Sequence, residues 1–219
     1  MFNLFKKKKK EPEIRNVLFG DLPLSEWPKE LSVANEEPWA SFVAARDHMS
    51  NGQPEKAIEA YRNILAMPQL ESRHYLQAWH FLRSLGVHPQ EEISKELFGV
   101  VVEVALDRGL DIVVAYSDLS ARYFNYSGAA VIWDNPDNTI QNEIKGLLHA
   151  GEVVVSKIGP WEDPRPPAPG IGEARISMLT PSGLHFGQAP MDDLAADQLG
   201  GPVIHMATQL MQRLIEKGQ

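Results

Sequence analysis

Between residues 38 and 97, apolar residues recur at steps of three and four, the spacing that places side chains on one face of a helix. Asn51 and Gly52 interrupt the pattern, Pro68 interrupts it again, and Gly86 ends it, as is typical of helix ends. The apolar positions of the three segments are Trp39, Phe42, Val43 and Met49, then Ala57, Ile58, Tyr61, Ile64 and Leu65, and then Tyr75, Leu76, Trp79 and Leu82. The pattern predicts a helical region over residues 38–97.

The preceding segment, residues 11–37, has no such period. Pro12, Pro23 and Pro28 interrupt it, and its apolar residues are scattered between them. Proline cannot continue a helix interior, and burying apolar side chains is favourable. We therefore predict an extended arm that packs its apolar side chains on the rest of the protein.

Near residue 98 the pattern changes to runs rich in β-branched residues, which are typical of strands. The runs cover residues 100–106, 110–117, 120–126 and 129–133. Turn residues such as Gly109 and Gly128 separate them, so the spacing predicts a four-strand antiparallel meander. A single helix over residues 90–106 is the alternative, because Ile93, Leu97 and Val101 also fit a helical period.

The last third of the chain combines both patterns. Asp134, Asn135 and Pro136 are typical of a helix start, and Gly151 of the end of that helix. We then predict a strand at 152–158, a proline-rich loop at 159–170, a hairpin from 175–179 and 184–186, and a C-terminal helix from Gly200.

One segment carries a family resemblance. The stretch Gly52-Gln53-Pro54-Glu55-Lys56-Ala57-Ile58-Glu59-Ala60-Tyr61, with Pro68 beyond it, resembles the second half of a tetratricopeptide repeat. The resemblance covers about residues 38–68 and departs from the pattern at Ala44, Ala45 and His48. It implies a helical hairpin and peptide or protein binding, and it carries no catalytic residue. We find no second copy of the signature, although repeats of this class stack in several copies.

These patterns predict an α+β fold class. An N-terminal helical, tetratricopeptide-like region is followed by a mostly antiparallel sheet covered by two helices, and we place this α+β domain at residues 98–219. The order of elements in that domain resembles profilin-type or roadblock-type modules, a resemblance of fold that implies no function.

Composition excludes several function classes. The chain has 219 residues and no cysteine, which excludes disulfide scaffolds, zinc–thiolate sites and thiol nucleophiles. Five of its 21 basic residues form one run near the start, which leaves 16 basic against 29 acidic residues elsewhere. An acidic body repels phosphate, so we expect no nucleic acid among its partners.

The first ten residues combine a short apolar tip with the basic run. The side chains are Phe2, Leu4 and Phe5, followed by Lys6, Lys7, Lys8, Lys9 and Lys10. We predict a disordered, solvated tail, with weak contact to an anionic membrane as the sharper hypothesis. The order of charge and apolarity is not that of a secretory leader, and no apolar run is long enough to span a membrane. We therefore expect a cytoplasmic protein, with the inner face of the membrane as a second location.

Familiar catalytic and cofactor motifs are missing from the sequence. The seven histidines include no pair at metal-ligand spacing, and neither a phosphate-binding glycine loop nor a nucleophile elbow occurs. We therefore predict that the protein has no metal site and no cofactor. We also favour a protein without catalytic activity over an enzyme.

The densest group of polar and aromatic residues suggests a binding face. It comprises Tyr116, Asp118, Arg122, Tyr123 and Asn125, to which His185 and Gln188 are added from the later hairpin. Arginine and tyrosine give directed bonds and a large contact area, so these residues are our candidates for partner or ligand binding. The structural alternative is cross-strand packing, with Arg122 paired to Asp118 or Asp134.

The sequence thus favours a non-enzymatic, intracellular interaction or regulatory protein whose partner is another protein, bound by this polar-aromatic face and the helical hairpin. The alternative is a small-molecule sensor or enzyme with a cleft between the helical region and the sheet.

Overall fold

A computed structural model describes residues 14–27 and 35–218. Within these ranges it contains eight α-helices, a short 3₁₀ turn at Leu24–Glu26 and six strands. The helices are α1 Ile14–Phe19, α2 Trp39–Ser50, α3 Pro54–Ala66, α4 Ser72–Ser84, α5 Glu91–Ser94, α6 Gln141–Val155, α7 Met191–Ala196 and α8 Gly200–Lys217. The strands are β1 Gly99–Leu106, β2 Gly109–Tyr116, β3 Ala121–Phe124, β4 Ala130–Trp133, β5 Glu173–Thr180 and β6 Gly183–Pro190. The α+β fold class is confirmed.

The six strands form one antiparallel sheet in the order β4-β3-β2-β1-β5-β6. The predicted meander is therefore present as β1 to β4, and β1 lies between β2 and β5. Val101 of β1 is opposite Val114 of β2 and Ser177 of β5. A central strand buried on both sides needs a continuous apolar run, which is why the helical alternative for residues 90–106 is wrong over β1.

The first face of the sheet is covered by α6 and α8, as predicted for two helices. Its strand side chains include Val100, Val102, Val113, Ala115 and Ile176, and all of them belong to one apolar core. Leu147 of α6 and Leu210 of α8 are fully buried in the same core. Apolar burial holds this layer together.

The strand predicted at residues 152–158 is wrong, because α6 continues through Gly151 to Val155. Gly151 is buried in the middle of the helix, and a Cβ there would lie 2.6 Å from Cγ2 of Val100. This glycine therefore allows close packing of α6 on β1 and does not end the helix. The following valines, Val154 and Val155, face the core from helical positions.

The helical region contains α2, α3 and α4, as predicted. The helical hairpin α2–α3 is confirmed, and Phe42 and Tyr61 of the hairpin meet Phe81 of α4 with ring centroids 5.1–6.3 Å apart. Whether the hairpin belongs to the tetratricopeptide class stays a prediction.

The second face of the sheet is covered by α1, α4 and part of the proline-rich loop. Leu18 and Phe19 of α1 and Leu76 of α4 join Val101, Val114 and Tyr116 in a separate apolar cluster. The prediction of an extended arm is wrong for Ile14–Phe19, which forms α1, because no proline lies between Pro12 and Pro23. Within residues 14–27, the arm does pack on the body as expected, through Leu18, Phe19 and Leu22.

The basic tail and its apolar tip, residues 1–10, lie outside the described residues, as do residues 11–13 and 28–34. The proposed membrane contact therefore falls on a segment that the structure does not describe. Among residues 14–27 and 35–218, none of the helices combines the length and apolarity that crossing a membrane requires.

Candidate functional site

A cleft of about 900 Å³ separates the helical region from the outer hairpin of the sheet. Its walls are the end of α1 with Asp21, the face of α4 that carries Leu76, His80, Arg83 and Ser84, residues 160–165, and the turn between β5 and β6. A volume of this size is in the range of sites for small ligands and short peptide segments. The cleft lies where the alternative sequence hypothesis expected one, between the helical region and the sheet.

A buried ionic cluster fixes the arm and the loop that form one side of the cleft. On the second face, Nε of Arg15 donates to Oε1 of Glu103 at 2.5 Å, and Arg175 lies 3.8 Å from the other carboxylate oxygen. Both arginines also donate to the carbonyl of Pro166, at 3.5 and 3.2 Å. Because buried charges are costly unless they are paired, this cluster sets the position of α1 and of the loop together.

The proline-rich loop is tied to the arm at a second point. Arg165 binds both carboxylate oxygens of Asp21, at 2.6 and 3.1 Å, and its guanidinium lies 4.3 Å from the ring centroid of Phe19. A bidentate arginine–carboxylate pair fixes orientation as well as distance. The pair therefore holds residues 160–165 in place where they line the cleft.

The start of the same loop lies along the sheet edge. The backbone N–H of Trp161 donates to the carbonyl of Leu184 at 2.6 Å, and the indole packs edge-to-face on Phe186 with centroids 5.2 Å apart. Because β6 is the outermost strand of the sheet, its free edge offers main-chain groups to a neighbouring segment. Trp161 itself remains 43% exposed and contributes an aromatic surface to the cleft.

The opposite wall is held by tight contact between the arm and α4. Gly20 has φ +61°, and a Cβ there would lie 2.7 Å from Cβ of Leu76, so only glycine fits this crossing. Gln77 then bonds both the N–H and the carbonyl of Leu22, at 3.1 and 2.9 Å. These contacts leave His80 and Arg83, one and two turns further along α4, on the cleft wall.

His80 and Arg83 differ in charge at neutral pH. Burial lowers the pKa of His80, an effect that Asp21 partly counteracts, so the imidazole is neutral. Burial also lowers the pKa of Arg83, to about 10, which leaves the guanidinium charged. Nη1 of Arg83 donates to the carbonyl of Pro181 at 2.6 Å.

The floor of the cleft at the β5–β6 turn consists of hydroxyl groups around a buried histidine. Nε2 of His185 lies 3.2 Å from Oγ1 of Thr180 and 3.3 Å from Oγ of Ser182, and the two hydroxyls are 2.9 Å apart. Burial lowers the pKa of His185. The neutral ring holds the turn, and only the two hydroxyl residues line the cleft.

Two of the candidates from the sequence, Tyr116 and Asp118, connect the sheet to the helical region. The Tyr116 hydroxyl donates to the carbonyl of Leu18 at 2.7 Å. Oδ2 of Asp118 accepts from the backbone N–H of Ser72 at 2.7 Å, at the first residue of α4. A carboxylate at a helix N-terminus satisfies a free N–H and stabilises the helix dipole.

The next three candidates lie on different sides of β3. Arg122 is on the second face, where it donates to the carbonyl of Trp133 at 2.8 Å and pairs with Asp134 at 2.5 Å. Tyr123 is on the first face and donates to Asp111 at 3.1 Å, and the carboxylate together with burial raises the pKa of Tyr123 to about 12. Asn125 closes the β3–β4 turn by accepting from the N–H of Ala129 at 3.0 Å.

The last two candidates lie on the hairpin β5–β6, away from β3. His185 holds the turn, and Oε1 of Gln188 accepts from Nε of Arg175 at 2.8 Å. The seven residues therefore do not converge on one surface, and each makes a hydrogen bond within the protein. The sequence reasoning missed Arg83, because a lone arginine in the last turn of a helix looks like an ordinary partner of the helix dipole.

The described part of the chain contains no group of side chains that could ligate a metal ion. Among residues 14–27 and 35–218, no three His, Asp or Glu side chains lie close enough together to hold an ion. The lining of the cleft combines a charged guanidinium, hydroxyl groups and aromatic side chains.

Comparison of this chain with family models, curated proteins and solved structures finds no match.

Proposed function

We propose that this chain is a non-enzymatic, intracellular interaction or regulatory protein, and that a short segment of another protein binds in the cleft between α4 and the β5–β6 hairpin. The observation that carries the proposal is the cleft of about 900 Å³, whose arm and loop are fixed by the buried Arg15–Glu103 pair and by the Arg165–Asp21 pair. A site held open by paired charges does not need to reorganise when it binds.

An extended peptide suits this cleft because the edge strand β6 begins at its wall. The main-chain bond from Trp161 to Leu184 is the kind of contact that an added strand makes, and Phe186 lies further along the same edge. The aromatic surface of Trp161 beside that edge offers a contact for an apolar side chain of the segment.

The seven residues of the predicted polar-aromatic face enter this proposal in a supporting role. Tyr116 and Asp118 hold α1 and α4 against the sheet and so keep the cleft in shape. The hydroxyl groups next to His185 line its floor.

A photoreactive residue placed at the rim of the cleft tests the proposal. Ser84 is the last residue of α4, is exposed and bonds the carbonyl of Phe81 at 2.7 Å. Ser50 is the last residue of α2, is exposed and bonds the carbonyl of Arg46 at 3.0 Å, so it is a matched control outside the cleft. We expect p-benzoylphenylalanine at position 84, and not at position 50, to crosslink one discrete protein segment in living cells.

The crosslinked segment, identified by mass spectrometry and synthesised as a peptide, then completes the test. It should bind the purified wild-type chain and the Ser50→Trp variant equally, and the Ser84→Trp variant at least about tenfold more weakly, because an indole at the rim blocks the cleft. Equal binding by all three proteins, identical adducts from both positions, or no protein adduct at position 84 would each overturn the proposal. A small metabolite that co-purifies with the wild-type chain and Ser50→Trp, but not with Ser84→Trp, would overturn the peptide proposal and favour the small-molecule alternative.

A further inference from the structure

Arg83 is a half-buried cation that forms no close ion pair among the described residues, and Asp21 acts on its charge only at longer range. Its guanidinium donates to the neutral carbonyl of Pro181, and no carboxylate of residues 14–27 or 35–218 lies within 4.0 Å of it. Arg165, which also lines the cleft, by contrast forms a bidentate pair with Asp21. Gly183 leaves space beside the Arg83 group, because even an added Cβ would stay 3.8 Å from Nε.

A guanidinium in this situation favours an anionic ligand. Burial weakens its hydration, as the lowered pKa of Arg83 indicates, yet the group keeps its proton at neutral pH. Charge-assisted hydrogen bonds are stronger than neutral ones, and the planar N–H fork of arginine matches the two oxygens of a carboxylate. Arg83 lines the cleft, and its one hydrogen bond to the described residues runs from Nη1 to the Pro181 carbonyl.

We propose that Arg83 anchors a carboxylate of the bound segment, its chain terminus or an acidic side chain, with an apolar or aromatic group next to it. This inference rests on the proposed function and names the chemistry that the cleft selects. Asp21, Glu162 and Asp163 also line the cleft, so the singly charged carboxylate is preferred over a doubly charged phosphate. Phe19, Trp161 and Leu184 supply the apolar surface for the neighbouring side chain.

Simple probes test the carboxylate without knowledge of the partner. N-acetylphenylalanine and N-acetylphenylalaninamide differ only in the charged group, 3-phenylpropionate lacks the peptide amide, and inorganic phosphate supplies a different anion. Each is titrated into the isotope-labelled full chain, and the shift of the Trp161 indole N–H, assigned with Trp161→Phe, gives the dissociation constant. We expect the acid to bind at least about tenfold more tightly than its amide, and phosphate not to compete.

Variants of Arg83 then assign the effect to this side chain. Arg83→Gln should remove the preference for the acid over the amide, and Arg83→Lys, which keeps the charge and the bond to Pro181, should retain part of it. Arg62→Gln on the exposed surface of α3 is the control and should leave both affinities unchanged. Melting temperatures measured in parallel show whether each variant is folded, and Arg83→Lys gives the answer if Arg83→Gln is not.

The outcomes separate this inference from the proposed function. Equal binding of acid and amide at Trp161, or an acid preference that persists in both Arg83 variants, overturns the carboxylate anchor and leaves the cleft as a binding site. No shift at Trp161 with any probe contradicts the anchor and the cleft together. Tighter binding of N-acetylphenylalanine than of 3-phenylpropionate supports a peptide carboxylate, and equal binding supports a small carboxylic acid as the source.

Discussion

On the first face of the sheet, α6 and α8 meet an almost entirely apolar strand surface, and Leu147 and Leu210 are fully buried there. On the second face, the arm, α4 and the proline-rich loop cover a surface in which Glu103 and Arg175 replace apolar side chains. The second face therefore contains a buried ion cluster, Glu103 with Arg15 and Arg175, in which each charge requires a particular partner.

The difference indicates that the two faces have separate roles: the first stabilises the sheet and its helices, and the second positions the arm and the loop. On the first face, α6 and α8 are held by apolar burial and by close packing such as that at Gly151, with no charge that requires a partner in the contact between Gly151 and Val100. The buried ions of the second face accept the arm and the loop only where Arg15 and the Pro166 carbonyl meet Glu103 and Arg175. Since the arm and the loop are also walls of the cleft, the polar face determines the shape of the binding site.

The largest effect is expected for Glu103→Gln. This change leaves the buried guanidinium groups of Arg15 and Arg175 without their shared carboxylate, which costs about 3–5 kcal/mol of unfolding free energy. Urea unfolding measures the loss, and limited proteolysis should cut the arm before the sheet unfolds. Glu96→Gln at an exposed position is the control.

A matched substitution on the first face sharpens this comparison. Leu147→Ala should cost about 2–5 kcal/mol, because it removes buried volume, but it should leave the arm as resistant to protease as in the wild type. If Leu147→Ala loosens the arm as much as Glu103→Gln does, the two faces do not have separate roles.

The next effect is a pH dependence from the helical region. Burial lowers the pKa of His74 to about 4, although Glu71 and Asp118 partly counteract it. Because the unfolded chain takes up the proton at a higher pH, near 6.5, stability is complete above that value and falls as the pH decreases. We expect His74 to account for about 2 kcal/mol of the loss between pH 7 and pH 5.

His74→Phe keeps an aromatic ring next to Trp39, 4.9 Å away in the wild type, and removes the titrating group. Between pH 7 and pH 5 the unfolding free energy of the wild type should fall by about 2 kcal/mol relative to that of the variant, whichever protein is the more stable at pH 7. A constant difference across this range would show that the histidine does not titrate in it.

A smaller effect is expected for Tyr116→Phe. The change removes the bond from the tyrosine hydroxyl to the Leu18 carbonyl and should cost about 1 kcal/mol, seen as a lower urea midpoint with an unchanged slope. Hydrogen exchange should become faster in α1 and stay the same in α8. Faster exchange in α8 as well would mean that Tyr116 stabilises the whole sheet and has no special role for the arm.

The smallest effect is expected for Asp134→Asn. Asp134 pairs with Arg122, but its side chain is 73% exposed, so solvent screens the pair and the loss should be below about 1 kcal/mol. Binding of N-acetylphenylalanine should not change. A tenfold loss of binding here would restore the polar-aromatic face of β3 as the functional surface.

The strands were predictable where one residue type dominated a run. The valines of β1 and the alternating residues of the β1–β4 meander follow directly from side-chain packing on a pleated sheet. The prediction failed at residues 152–158, because a short run of valines such as Val153, Val154 and Val155 can belong to a buried helix as well as to a strand. Glycine is required at position 151 because α6 approaches β1 closely there, and this tertiary contact cannot be predicted from the local sequence.

The candidate site was less predictable, because its residues are far apart in the chain. Asp21 and Arg165 are separated by 144 positions, and neither carries a motif that marks it as a partner of the other. The existence of a cleft between the helical region and the sheet was foreseen as an alternative, but its lining was not. The sequence reasoning favoured dense polar-aromatic runs, and those residues form internal bonds that hold the elements together.

The binding site is tested most directly by asking whether the Trp161 indole N–H resonance shifts when a ligand is added and whether blocking the cleft abolishes that shift. N-acetylphenylalanine should shift the indole N–H resonance of Trp161 saturably in the wild type and in Ser50→Trp, and the shift should be lost in Ser84→Trp. An unmoved Trp161 resonance in the wild type, or an equal shift in Ser84→Trp, would contradict the assignment of the cleft as the binding site.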